Sequence, residues 1–351
     1  MNPKCPKCNS CETVKRGSRR GLKRFLCKKC HGSFSVDHRR KAELLWIQHV
    51  DGVPIRKLAD ERKLSIAQTY QKLIAELNRV VENVLVTKIY CDPEKFCGIL
   101  IVDGKFIKVR GYKQKIPFIY GIDYLTHDIP IHQLSQSESE VAFEEFFKEL
   151  KTNKYPLHIV VCDDRSSLEK PLKKYYPEAI IQHCQNHYVN NIREALHVRT
   201  AETHQHFFNS IKKHIFDEYS DEENLKTQLN YIFEKHAKKN SMRIAILKDI
   251  YKRREKLFSY TKVPHCPKNT NLIELYNSHL NARVRSIKGF KSFANAERWC
   301  NAYIIRRRTK SLTDCRGKFK PLNGKPSLQN TLKKEVGWTE IFLEKTPKTE
   351  R

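Results

Sequence analysis

The chain has 351 residues, 39% of them hydrophobic, and a net charge of +28 from 67 Lys and Arg against 39 Asp and Glu. That length exceeds the usual single folding unit and the apolar content suffices for a core, so two or more folded units are expected. A balance this basic points to a polyanion, nucleic acid above all, with a solvated basic surface as the alternative; no apolar run approaches the ~20 residues of a spanning helix, so no membrane partner is expected.

Five of the twelve cysteines fall within the first 30 residues. The start, Met1-Asn-Pro-Lys-Cys5, has no apolar signal-peptide core, so a cytoplasmic protein is expected, in which clustered cysteines mean metal and scattered ones mean buried thiols. Cys5-Pro-Lys-Cys8 and Cys27-Lys-Lys-Cys30 are two C-x-x-C knuckles separated by 18 residues. This is the spacing of a zinc ribbon, over residues 1–36, with four thiolates for one structural Zn²⁺. Cys11 is an alternative ligand whose spacing from Cys8 fits less well. Between the knuckles Arg16, Arg19, Arg20, Lys23 and Arg24 interleave with Phe25, a composition suited to a phosphate-gripping hairpin or to a solvated loop.

Residues 37–88 read as a small helical domain. Helices are predicted over Ala42–Gln48, Val53–Arg62 and Ser65–Leu77, with a short Lys63-Leu64 turn and Ile55, Leu58, Ala59, Leu64, Ile66 and Tyr70 at core positions. That pattern fits a helix-turn-helix, in which Ser65, Gln68, Thr69 and Lys72 would face the DNA major groove.

From Phe96 the pattern changes to strands at Ile99–Val102, Phe106–Val109, Phe118–Ile122 and Ile129–Leu134. A helix over Glu138–Leu150, a strand over Ile159–Cys162, a helix over Leu168–Tyr175 and a strand over Ala179–His183 follow. This order predicts a ribonuclease-H-like mixed sheet, its first part over 89–190. Residues 191–262 carry apolar residues at three- and four-residue steps and read as an all-α insertion. Residues 263–312 return to the core with a closing helix, and 313–351 form a basic, partly irregular tail. The fold class is therefore multidomain α+β.

Two aspartates end buried strands in this scheme, Asp103 and Asp163, and Glu274 lies on the closing helix. Carboxylates so placed can hold two Mg²⁺ ions about 4 Å apart for phosphodiester chemistry. Each acid also has an ordinary reading: Asp103 in an Asp-Gly turn, Asp163 or Asp164 as a helix cap, Glu274 as a first-turn acid. Alternation along the strand favours Asp163 over Asp164. Cys184 and His187 have the spacing of half a zinc site or of a hydrogen-bonded pair. Arg283, Arg285, Lys288 and Lys291 follow Glu274 and suit either a grip on DNA or a solvated face.

Together, Asp103, Asp163, Cys184-Gln-Asn-His187, the helical insertion, and Thr270-Asn-Leu-Ile-Glu274 followed by Arg283 and Arg285 resemble the Mutator-like DDE transposases, which include many bacterial insertion-sequence enzymes. The likeness covers roughly Phe96 to Arg308. It departs at Asp164, where that family usually has glycine. The resemblance implies cleavage at element ends and strand transfer, by cut-and-paste or copy-out. It makes Asp103, Asp163 and Glu274 the ligands of two Mg²⁺ or Mn²⁺ ions, and Cys184 and His187 a core-associated pair. The implied partners are double-stranded DNA, as terminal inverted repeats and target, and further copies of the chain in a dimer or larger assembly on the bacterial nucleoid. A decayed, DNA-binding regulator and a structure-specific nuclease on the same fold are the rival readings.

Overall fold

The structure, a computed structural model, describes residues 3–19, 22–36, 44–200 and 202–335. Arg20, residues 37–43 and the last part of the expected tail, 336–351, lie outside the described residues. The chain divides into two compact units, Met1–Leu44 and Leu45–Arg351.

The first unit is an antiparallel sheet of β1 (Thr13–Arg19), β2 (Leu22–Cys27) and β3 (Ser33–Val36). Among the described residues its interior is small: Phe25 is buried and stacks on Phe34 with ring centroids 5.8 Å apart, and Cys5, Thr13 and Cys27 are buried with it. So little apolar burial does not hold a unit of this size without a crosslink or metal.

The second unit begins with four helices, α1 (Leu45–Val50), α2 (Ile55–Arg62), α3 (Ile66–Leu77) and α4 (Asn83–Tyr90). Ser65 starts α3 with a reciprocal capping box: its hydroxyl accepts from Gln68 N, and the Gln68 side chain accepts from Ser65 N. Thr69, Leu73 and Leu77 form the buried stripe of α3. Thr69 therefore does not face outward as expected; it is fully buried and its hydroxyl donates to Ser65 O at 2.9 Å. Ile66 is correspondingly 51% exposed rather than core.

A five-stranded mixed sheet follows, made of β4 (Ile99–Ile107), β5 (Ile116–Asp123), β6 (Ile131–Leu134), β7 (Ile159–Cys162) and β8 (Ile180–His183), in the order β6-β5-β4-β7-β8. β4 pairs antiparallel with β5 and parallel with β7, and β7 parallel with β8. The apolar runs Ile99–Val102 and Ile159–Cys162 are buried throughout, as central strands require. The two strands expected at Ile99–Val102 and Phe106–Val109 are one: β4 passes straight through Asp103-Gly104, because pairing with β5 continues from Leu100 to Ile107. At the start of β4, Gly98 has φ +75°, and a Cβ there would fall 2.2 Å from Pro156 O, so only glycine fits. α5 (Glu140–Thr152) and α6 (Glu169–Tyr175) make the crossovers.

From α7 (Gln185–Ala195), α8 (Gln205–Ile211), α9 (Glu222–Ile232) and α10 (Ser241–Leu257), the chain builds a helical body with its own core, including Phe207, Ile211, Ile232 and Ile250. It is stitched to β8 by the buried Gln182 amide, which donates to Leu257 O at 2.8 Å and accepts from Tyr260 N at 2.7 Å, and Gln185 at the start of α7 donates to the same carbonyl at 2.8 Å. The chain then forms α11 (Asn271–Ile287) and α12 (Phe293–Thr309). Residues 313–335 are not a loose tail. Leu328, Thr331 and Leu332 are buried, and Leu332 bridges to Cys91. No helix among the described residues is long and apolar enough to cross a membrane.

Candidate active site

Parallel pairing of β4 with β7 sets Ile99 against Ile159 and Ile101 against Val161. Two further steps along both chains bring Asp103 level with Asp163 on the same face. Asp164, of opposite parity, turns toward the helical body, where it pairs with Arg253. β8 then leads into α7, whose first turn carries His187, and α11 carries Glu274 in its own first turn.

His187 stands between two of the acids. Its Nδ1 lies 2.6 Å from Asp163 Oδ1 and 3.8 Å from Glu274 Oε1. The contact to Asp163 is that of an ion pair and is not aligned as a hydrogen bond. Thr270 Oγ1 is within reach of three groups, Glu274 Oε1 at 3.0 Å, Cys184 Sγ at 3.2 Å and His187 Nδ1 at 3.5 Å. Its single proton goes best to the carboxylate, the nearest and only charged acceptor. Asp103 is more firmly held: Gly104 N donates to Oδ1 at 2.7 Å and Asn277 Nδ2 to Oδ2 at 2.6 Å, with Asn277 itself fixed by Tyr120 OH at 2.9 Å. Arg165 Nη2 approaches Asp103 Oδ1 at 3.4 Å.

The electrostatics are those of carboxylates short of positive charge. Burial pushes Asp163 up to about 6; His187 opposes this, and the charges of Asp103, Glu274 and Asp164 add to it. Burial also raises Asp103, against the pull of Gly104 N–H, Arg165 and Asn277. Burial raises the Cys184 thiol, leaving it neutral and accepting from Thr270. The closest set of donors is Asp163, Cys184 and His187, whose ligand atoms lie within 4.8 Å of one another. A neutral thiol is a poor partner for a hard cation, whereas the carboxylates suit Mg²⁺ or Mn²⁺.

The other expected contacts group elsewhere. At 1.5 Å per residue, Arg283 and Arg285 lie about 13 Å and about 16 Å along α11 from Glu274. Lys288 ends that helix in the left-handed region, and Lys291 Nζ sits 4.5 Å over the Tyr70 ring, so this end of α11 neighbours α3 rather than the acids. In the first unit the thiols of Cys5, Cys8, Cys27 and Cys30 converge within 4.8 Å, while Cys11 is exposed. The Cys30 backbone N–H above all draws the Cys27 thiol down to about 6, whereas against the pull of the Ser10 backbone N–H burial and the neighbouring thiols push Cys8 up to about 12. Arg16 and Lys23 are exposed on β1 and β2, Arg24 is half-buried there, and Arg19 closes β1.

Sequence reasoning named Thr270 only as part of the motif ending in Glu274, with no role of its own, and missed Asn277 and Arg165. Asn277 had a signal, lying one turn after Glu274 on the same helical face. It also missed a cleft opening on His187 and Glu274 and lined by Arg193, Lys212 and Lys268, whose cations come from three separate segments.

Among solved structures, the chain is similar to the Drosophila P element transposase strand transfer complex, at 12% identity over 78% of this chain and 94% of that one, with a TM-score of 0.34. It is similar also to the Mos1 transposase paired-end complex with left transposon end, at 12% identity over 66% and 82%, with a TM-score of 0.19. No curated protein sequence matches it. A family model described as "Transposase, Mutator family" matches residues 42–308, from just before α1 into the last turn of α12. With well over half of its length so matched, the chain belongs to the Mutator family of transposases.

Proposed function

We propose that this transposase is a DDE enzyme on a ribonuclease-H-like core, cleaving DNA at element ends and joining the freed 3′ end to target DNA, with Asp103, Asp163 and Glu274 as ligands of two Mg²⁺ or Mn²⁺ ions. One observation supports this reading: His187 Nδ1 lies 2.6 Å from Asp163 and 3.8 Å from Glu274, the β4–β7 register sets Asp103 level with Asp163, and burial together with the charges of Asp103 and Glu274 raises Asp163 to about 6. Those three carboxylates would hold the divalent ions, which would lower the pKa of the nucleophile and neutralise charge on the reacting phosphate. The chain's own groups do the positioning. Asn277 and Gly104 N–H orient Asp103, and Thr270 orients Glu274. Lys212, Lys268 and Arg193 line the cleft beside Glu274, suited to a DNA backbone approaching the acids.

Binding of the element ends falls to two further regions. Cys5, Cys8, Cys27 and Cys30 would hold a structural Zn²⁺ that presents Arg16, Lys23 and Arg24 to phosphates. α2 and α3 are read as a helix-turn-helix, with Gln68 and Lys72 on the exposed side of α3. Holding two ends at once requires more than one copy of the chain on DNA.

A strand-transfer assay with short end DNA and Mg²⁺ tests the reading. Wild-type protein yields joined product, whereas Glu274→Gln yields only a gel shift. Cleavage retained by Glu274→Gln, or wild-type cutting without joining, overturns it.

A further inference from the structure

One cation from the chain itself stands at the acid cluster. Arg165, two residues past Asp163, brings Nη2 to 3.4 Å from Asp103 Oδ1 and pairs through Nη1 with Glu138. Glu138 lies just ahead of α5, and its Oε1 is buried without a hydrogen-bond partner. It is pressed against the strand beside Asp103: a Cβ on Gly104 would fall 2.1 Å from Glu138 Oε1. With side chains 24% and 13% exposed, Arg165 and Glu138 form more than a surface bridge.

The two contacts of Arg165 do different things. Glu138 fixes where the guanidinium sits. The approach to Asp103 places a positive charge on a carboxylate that, in the reading above, binds metal. A guanidinium is a flat fork of donors that matches carboxylate and phosphate alike, so it can exchange one for the other without leaving its anchor. Once Asp103 is neutralised by a divalent ion its attraction for Arg165 is gone, and an arriving DNA phosphate is the anion that replaces it.

We propose that Arg165, anchored by Glu138, is a phosphate-binding residue of the active site that occupies Asp103 until metal and DNA take over its two roles there. This rests on Asp103 belonging to a metal site. In DNA-free protein Arg165 competes with the incoming ion; in the DNA complex it clamps the phosphate beside the cut. Metal affinity and strand cleavage should therefore respond to its loss in opposite directions.

Calorimetric titration of Mn²⁺ into the full chain without DNA, alongside a cleavage assay, tests this. Arg165→Ala should bind Mn²⁺ roughly five-fold more tightly, since a cation at contact distance has been removed. Its cleavage of end DNA should fall on the order of 10- to 100-fold, as expected when a donor to the reacting phosphate is lost. Arg165→Lys retains the charge but not the fork, and should keep wild-type Mn²⁺ affinity while cleaving slowly. If Arg165→Ala does not fold, Arg165→Gln carries the same expectation. Mn²⁺ affinity unchanged or weakened in the Ala or Gln variant overturns the proposal, and the metal site survives provided that Asp163→Asn abolishes the wild-type binding. A wild-type chain that takes up no Mn²⁺ removes the metal site, and this proposal with it.

Discussion

Arg308 and Asp128 are both fully buried, and their charges are met on every side. Arg308 makes a two-pronged pair with Asp128 at 2.8 and 2.7 Å, and its remaining donors reach Asn83 Oδ1, Thr87 Oγ1 and Cys91 Sγ. Thr331 adds a further hydrogen bond to Asp128 at 2.6 Å. Asp103, Asp163 and Glu274 belong to the same unit and are treated in the opposite way. Among the described residues Asp163 meets only His187, at 2.6 Å, with no aligned hydrogen bond to that oxygen, Glu274 stands 3.8 Å from the same imidazole, and Asp103 has Arg165 at 3.4 Å. A buried charge whose partners are complete joins elements rigidly. A cluster left incomplete costs stability and is kept for what it will bind.

The largest effect expected from this contrast is in the satisfied network. Arg308→Met leaves Asp128 buried and unpaired and should cost about 3–5 kcal/mol in urea unfolding. A loss under roughly 1 kcal/mol would mean that the network, for all its hydrogen bonds, is not what ties α4, α12 and residues 328–332 together.

The unsatisfied cluster should answer with the opposite sign. Asp163 titrates at about 6 in the folded chain against an ordinary 3.8. A raised carboxyl contributes stability that is full below its unfolded value and is lost as pH rises through the folded one. Without divalent ions, wild-type melting temperature should therefore decline between about pH 4 and about pH 6. Asp163→Asn should flatten that decline and stabilise the chain at pH 7 by about 1–2 kcal/mol, a shift discounted for the partly exposed side chain. A variant that melts lower than wild type at pH 7 would put the acid cluster in the same class as Arg308 and Asp128.

How far these features can be read from sequence follows from how local their causes are. The strand at Ile159–Cys162 is legible to the residue, because a central parallel strand is an unbroken apolar run. The start of α3 is legible from Ser65 and Gln68, since a capping box is written within four residues. Asp103-Gly104 misled because the dipeptide is a turn signal in isolation, and only eight residues of pairing with β5 override it. The packing of 313–335 was hidden by its basic composition. What holds Thr331 is Asp128, a partner some two hundred positions earlier that no periodicity announces. Arg165 and Glu138 were invisible for the same reason, as an ion pair between a strand end and a helix entry leaves no local pattern.

The smallest expected effect applies the contrast to a single helix. Thr69 and Lys72 are three residues apart on α3, and sequence periodicity turned both toward DNA. Thr69 is buried with its hydroxyl already engaged by Ser65 O, whereas Lys72 is exposed. If a met polar group is structural and an open one is kept for a ligand, Thr69→Val should leave affinity for end DNA unchanged and register only as a slight loss of thermal stability. Lys72→Ala should weaken binding to all sequences alike and reduce the slope of log affinity against log salt by about 1, the signature of one lost phosphate contact. Fluorescence anisotropy across a salt series reads both. A loss of sequence preference in Thr69→Val would show instead that α3 rotates on binding, exposing the stripe that now packs with Leu73 and Leu77.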